Sequence, residues 1–515
     1  MQGNKKFTEK LFTHFQLSDR VPAENFYRRL KEVLDLQWLY KSTKKYYGTE
    51  GQQSIDPVVF FKLILIGYLE NLGSDRRIIN TVSMRLDMLF FTGYDIDEPL
   101  PWHSTLSRTR QLYGEELFKQ LFKQVLKQCI DKGMVAGRRQ VMDSVAVKAN
   151  ASMDSLTEKE ILDDAVAYAD ELTGEEQKIK NDDDHHDHNK TVSATRNKAV
   201  QLHHQWKAKA YKDMPKRKHS RFVSNHTHYS VTDPDARVSV KPGKPRQLNY
   251  LAQVSVDTAH HVITQIQTDH ADKKDSQCLP SLLTDTISNL KQEGLPVEEV
   301  YADAGYSSGE ALQALEKNNI TGYIPSFGQY KPTREGFTYD KDNDRYTCSR
   351  GVHLPFKKIT TTSLGYKMKV YRSSAKDCGK CPLRSVCIGK SDFKKIDDSI
   401  DKPFYDRMHA RMQRVSKEKT RQLRSSTVEP VLGTLVNFLA MRRVNTRGIK
   451  QANKCMLMAA IAYNLKKLLK WQQTKVQTGV MAMKKAEKSL SFYFFTLWKP
   501  LQPYSRVKSI FLLHK

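Results

Sequence analysis

Three acidic residues sit where the sequence changes character. Asp143 lies in "QVMDSVAVKA", a short β-branched run bounded by polar residues. Asp303 closes the apolar run of "VEEVYADAG" and is followed two residues later by Gly305. Glu429 stands beside Pro430 in a stretch with helical periodicity. Taken singly, an Asp at a strand end caps a helix or forms a turn. Taken together, carboxylates converging from distant segments suit phosphoryl transfer, which needs two divalent cations about 3.5–4 Å apart. Mg²⁺ prefers oxygen ligands and keeps several waters, so two or three such acids suffice.

Those acids need a scaffold, and the chain has the length for more than one unit. It holds 515 residues, 39% of them hydrophobic, with a formal charge of +27. An excess of that size suits a polyanion, and nucleic acid is the commonest. The opening "MQGNKKFTEKLFTHF" lacks an apolar leader core, and "VVFFKLILIGYL" (58–69) is too short to span a bilayer and carries Lys62. A cytosolic chain without a membrane role is the expectation, and its seven cysteines are then thiols or metal ligands.

Residues 1–135 read as a helical domain for DNA binding or dimerisation, with Arg76, Arg77, Arg108 and Arg110 near helix ends. Ser74 is a candidate cap for one helix, and Ser104 or Thr105 for another running through "LYGEELFKQLFKQVLKQCI". From 136 to 475 strands and helices alternate, predicting a mixed α/β fold. "HYSVTDPDARVSV", "LNYLAQVSVDT" and "HHVITQIQTDH" read as strands, and 275–294 as a helix ending near Gly294. Asp233, Asp235 and Asp257 read as turn formers, and Asp272 or Asp275 as the cap of that helix. Ser307 or Ser308 caps the next one.

Two segments interrupt the pattern. The polar insertion 155–220 holds Asp182–His188, which has no apolar framework and reads as solvated rather than metal-binding, and the basic run Lys216, Arg217, Lys218, a candidate phosphate contact. The Cys-rich insert 330–395 places Cys378 and Cys381 in a C-x-x-C knuckle, with Cys387 and Cys348 able to complete a Cys₄ shell for structural Zn²⁺, free thiols being the alternative. Cys129, Cys278 and Cys455 fall in apolar helical patterns and read as core. Residues 476–515 form a basic, aromatic tail.

Several blocks resemble bacterial insertion-sequence transposases of the DDE type. "MDSVAVKANAS" (142–152), "YADAGYSS" (301–308) and "TVEPVLGTLVNFLAMRRVNTRG" (427–448) are similar to the three blocks that carry that family's catalytic acids. "GYLENLGSDRRI" and "PWHSTLSRTR" resemble its N-terminal domain, and the likeness runs over roughly residues 10–470. The resemblance implies an RNase-H-like catalytic core with a helical N-terminal domain. It also implies two Mg²⁺ (or Mn²⁺) ions on Asp143, Asp303 and Glu429, cleavage at the element's ends, and strand transfer into target DNA. Double-stranded DNA, as terminal inverted repeats and as target, is the implied partner. A homodimer in the DNA complex and a cytoplasmic, nucleoid-associated place in a bacterium are implied too. One position departs: relatives often have a lysine seven residues past the Glu, where this chain has Val436. Arg442, Arg443 and Arg447 are then the candidate DNA contacts near the site. A catalytically impaired DNA-binding protein, a nuclease without strand transfer and a zinc-dependent interaction protein remain as alternatives.

Overall fold

The computed structural model describes residues 16–48, 50, 54–158, 225, 227–239, 245–326, 330, 332–362 and 365–497. The Asp182–His188 cluster, Lys216, Arg217, Lys218 and the last part of the tail lie outside these. The chain up to Leu465 forms one compact unit, and the chain from Lys466 a second.

The front end is helical, as the periodicity predicts. Its helices are α1 (Leu17–Arg20), α2 (Phe26–Val33), α3 (Trp38–Thr43), α4 (Pro57–Leu69), α5 (Asp75–Ser83), α6 (Leu86–Thr92), α7 (His103–Leu112) and α8 (Glu115–Asp131). The apolar α4 is buried on nearly every side, and Asp56 caps it by accepting from the Val58 and Val59 amides. Two cap expectations change. Ser74 holds the cap position of α5 without a side-chain bond. The single helix expected after Ser104 is two, because the chain breaks at Tyr113 and Gly114 between α7 and α8.

The central sheet is built on β1 (Arg139–Lys148). On one side β1 pairs antiparallel with β5 (Gln247–Asp257), which pairs antiparallel with β6 (Ile263–His270). On the other side β7 (Glu299–Tyr301) runs parallel to β1, and β8 (Thr321–Tyr323) parallel to β7. The strand candidate from His228 divides in two around the Asp233-Pro234 turn. β3 (His228–Ser230) pairs with β2 (Leu156–Glu158) in a separate ribbon, and β4 (Arg237–Ser239) joins the start of β5.

Helices cover both faces of the sheet. On one face α9 (Asp275–Lys291) and α10 (Gly309–Lys317) pack with α11 (Lys402–Arg414) around Met142, Val300, Leu282 and Leu315. Gly294 takes a left-handed φ of +73° just past α9. Ser308 caps α10 as expected, accepting from Ala311 at 3.2 Å. On the Asp143 face lies α12 (Lys417–Phe438), burying Val428, Val431 and Leu435. The helix α13 (Ile449–Leu497) starts behind β6 and ties the front end to the sheet. Its Asn464 side chain donates to the Ile263 carbonyl and accepts from the Ile263 amide. Its buried Lys454 donates to the carbonyls of Arg110 and Tyr113, at 3.0 and 2.6 Å.

Asp233, Asp235 and Asp257 are structural. Asp257 is fully buried and accepts from the Gly137 amide at 2.8 Å and Gln140 at 3.0 Å. Asp233 and Asp235 accept from the Gly448 and Ile449 amides, satisfying the start of α13.

The Cys-rich insert is a small antiparallel sheet in the order β13-β12-β11-β10-β9. Its strands are β9 (Phe337–Asp340), β10 (Arg345–Cys348), β11 (His353–Thr361), β12 (Lys367–Arg372) and β13 (Lys395–Ser399). Cys129, Cys278 and Cys455 are buried, as their patterns predict.

Candidate active site

The β1–β7 register places the first two acids. Val141 pairs with Tyr301 in a parallel ladder, so continuing by two residues brings Asp143 beside Asp303, just past the end of β7. Met142 points into the core with Val300 and Leu279, and alternation turns Asp143 to the opposite face. The Asp143 carboxylate accepts from the Ser144 amide at 2.8 Å, and Arg424 of α12 approaches it at 3.9 Å.

Asp303 caps the short turn Ala304–Tyr306, accepting from the Gly305 amide at 2.8 Å. Gly305 is needed for room and not for a left-handed backbone. A Cβ there would stand 2.9 Å from Asp303 Oδ1 and 3.4 Å from Asp275 Oδ2.

Asp275 therefore belongs to this place, which its sequence context did not reveal. The cap of α9 is Lys274, and Asp275 follows as the first helical residue. Its Oδ1 accepts from Gln253 at 2.9 Å, and the Tyr306 hydroxyl donates to the same Gln253. Gln253 and Tyr306 are fully buried, so a chain from Tyr306 through Gln253 orients the Asp275 carboxylate. The signal for it was the pairing of a buried Gln on β5 with Tyr306 of the "DAGY" turn, which only the fold makes visible.

The electrostatics follow from this crowding. Burial pushes the Asp143 carboxyl up to about 6, the charges of Asp303 and Asp275 add to the rise, and the Ser144 amide and Arg424 oppose it. Arg424 Nε is itself buried without a partner. Asp143 and Asp303 offer hard oxygen donors of the kind a divalent cation takes, one of them reluctant to ionise.

Glu429 is not brought to the pair. It is exposed on α12, five residues or roughly 7.5 Å of helix beyond Arg424. Among the described residues no group of three or more His, Cys, Asp or Glu is arranged to hold a metal. Val436 is half-buried near the end of α12. Arg442, Arg443 and Arg447 are exposed in the loop that follows.

The cysteine expectation is met in part. Cys348, Cys378, Cys381 and Cys387 line one cavity of about 420 Å³, yet they are free thiols and do not form a metal-holding group, so the structure does not support zinc there. The Cys378 thiol is instead engaged with the Ser373 hydroxyl at 3.0 Å.

Two family models match parts of the chain. The family model "Transposase domain (DUF772)" matches residues 15–112, and "Transposase DDE domain" matches residues 347–469. The chain resembles the DDE-type transposases. The first match spans most of the front-end helices, and the second runs from the Cys-rich sheet through Glu429, leaving Asp143 and Asp303 outside both. With the sheet order β6-β5-β1-β7-β8, the DDE match gives an RNase-H-like mixed α/β fold. No curated protein matches the chain. Among solved structures, the "Mos1 transposase paired-end complex with left transposon end" matches at 10% identity over 59% of this chain and 73% of that one, with a TM-score of 0.16.

Proposed function

We propose that this transposase relative cuts DNA at the ends of a mobile element and joins the freed ends to target DNA, using divalent metal held by Asp143, Asp303 and Glu429. The observation that supports the reading is the parallel register of β1 and β7, which runs toward Asp143, midway along β1, and Asp303, two residues past the end of β7. Bound Mg²⁺ or Mn²⁺ would supply activation of the attacking oxygen and neutralisation of the leaving one. Asp143 and Asp303 bind from the sheet. The Gly305 turn keeps side chains away from them, and Arg424 supplies a cation beside Asp143. Glu429 takes the third place by its resemblance to the family's catalytic Glu, and joins from α12. DNA is the proposed partner, with two copies of the chain in the complex so that two ends are processed together. No described helix is long and apolar enough to cross a membrane.

The test uses duplexes ending in the element's terminal repeats, with Mg²⁺ or Mn²⁺. Cleavage followed by joining supports the reading, and cleavage alone supports a nuclease. Asp143→Asn, Asp303→Asn and Glu429→Gln are each expected to bind DNA and lose cleavage. An Asp303→Asn protein that cleaves normally removes the site assignment. A second reading, specific DNA binding without catalysis, is favoured by Val436 at the usual lysine position and by the exposed Glu429. Binding with no cleavage under any divalent metal would establish it.

A further inference from the structure

The front-end helices and the sheet meet at a polar cavity of about 480 Å³. The turn after α4, with Asn71 and Gly73, forms one wall. Asn150, just past β1, and Ala440, Arg442 and Arg443, just past α12, form the other. Two devices hold this cavity open in a fixed shape.

The first is Asn71. It adopts a left-handed φ of +56°, which Asn tolerates better than most residues. Its side-chain amide donates to the Asn437 carbonyl at 3.1 Å, and its oxygen accepts from the Ala440 amide at 2.9 Å. A residue of the front end thus satisfies backbone groups at the end of α12 that the helix itself leaves open. The second is the end of β1. Lys148 donates its amide to the Arg442 carbonyl at 3.3 Å and accepts from the Val444 amide at 2.9 Å. The Arg443 guanidinium donates to Asn150 at 2.9 Å. The arginine loop is therefore stitched to the strand that carries Asp143.

The charge balance of the cavity is positive. Asp75 is its acid, and the buried Arg110 occupies both oxygens of Asp75 at 2.6 and 3.0 Å, cancelling that charge. Arg442 and Arg443 are exposed guanidiniums facing no uncompensated acid in the lining. Such a pocket takes an anion with several acceptor oxygens, and planar guanidiniums match phosphate.

We infer that this seam binds a backbone phosphodiester of DNA, with Arg442 as its principal contact and the Asn71 bridge fixing the loop that presents it. The inference rests on the DNA reading above and names where the duplex is gripped. Lys148 lies five residues along β1 from Asp143, roughly 17 Å at strand rise, which corresponds to about five phosphates along one strand of a duplex.

The experiment measures binding of the full-length protein to a terminal-repeat duplex and to an unrelated duplex across a salt series. Arg442→Ala is expected to weaken both several-fold and to lower the slope of log K against log salt by about 0.9, the value for one phosphate. Asn71→Ala is expected to weaken binding as well, and the double variant to lose less than the two losses added, because both act on one site. Thermal melts check that each variant folds. Wild-type binding with an Arg442→Ala slope and affinity equal to wild type overturns the seam while leaving the DNA reading standing. Absence of wild-type binding to either duplex overturns both.

Discussion

Replacing Asp143 with Asn should stabilise the protein when no metal is present. The carboxyl is pushed from 3.8 to about 6 in the folded chain. A folded-state value above the unfolded one means the native protein keeps its proton between about pH 4 and 6, where the unfolded chain has released it. Native stability therefore falls as pH climbs through that window, and the full penalty stands above pH 6. Just over two pKa units amount to about 3 kcal/mol at pH 8, with about half already present at pH 5. The side chain is 19% exposed, so solvent screening removes little of this. Asn keeps the shape and can still accept from the Ser144 amide, but cannot ionise. The opposing pull of Arg424 is already included in the net shift. Denaturant unfolding in EDTA at pH 5 and pH 8 gives the answer. The variant should exceed wild type at both values, with the gap roughly doubling at the higher one. A variant no more stable than wild type at pH 8, or a gap that ignores pH, would refute the account of the site as a crowded acid pocket. Adding Mn²⁺ should reverse the ranking, because the cation relieves in wild type the same strain that Asn removes.

Two further changes probe the packing around the acids. Gly309→Ala would place a Cβ 2.0 Å from Asp401 Oδ2 and 2.2 Å from its Cγ, so thermal melts should show a loss of about 1–3 kcal/mol, only partly restored by adding Asp401→Ala, whose own Cβ still stands 2.5 Å away. Asp275→Asn keeps an oxygen to accept from Gln253 and removes one negative charge beside Asp303 and Asp143. Its Mn²⁺ affinity, measured by titration calorimetry, should drop about tenfold with the fold intact, and an unchanged affinity would place Asp275 outside the metal's reach.

Much of the architecture was legible because it rests on local pattern. The alternation of "QVMDSVAVKA" and the apolar run before Asp303 both become sheet strands, and Ser308 caps the helix its position announced. The misreadings share one cause, since each depended on tertiary partners. "HYSVTDPDARVSV" shows its turn at Asp233-Pro234, but not that Asp233 and Asp235 satisfy the start of α13, far along the chain. Asp275 looked like a cap because Asp at a helix start usually is one, but the helix begins on it and its carboxylate accepts from Gln253 of β5. The four cysteines look like a metal knuckle by spacing, yet spacing does not fix where thiols point.

Glu429 marks the boundary between what pattern specifies and what it leaves free. The strands β1 and β7 are joined by a parallel ladder that stops two residues short of Asp143 and Asp303, so hydrogen bonding brings the two acids to the same end of the ladder. Glu429 rides on a helix held to the sheet by apolar contacts of Val428, Val431 and Leu435, which tolerate small slides and rotations better than a ladder does. Two specific bonds restrain that helix at its far end, both from Asn71 in the front-end domain. The same turn lines the cavity assigned to a DNA phosphate. A DNA phosphate bound at the seam as inferred above would thus sit beside the Asn71 bonds that hold the end of α12. On the proposed reading, α12, held by Asn71 at one end and by Arg424 near Asp143, would have to turn its exposed glutamate toward the acid pair when DNA and metal bind.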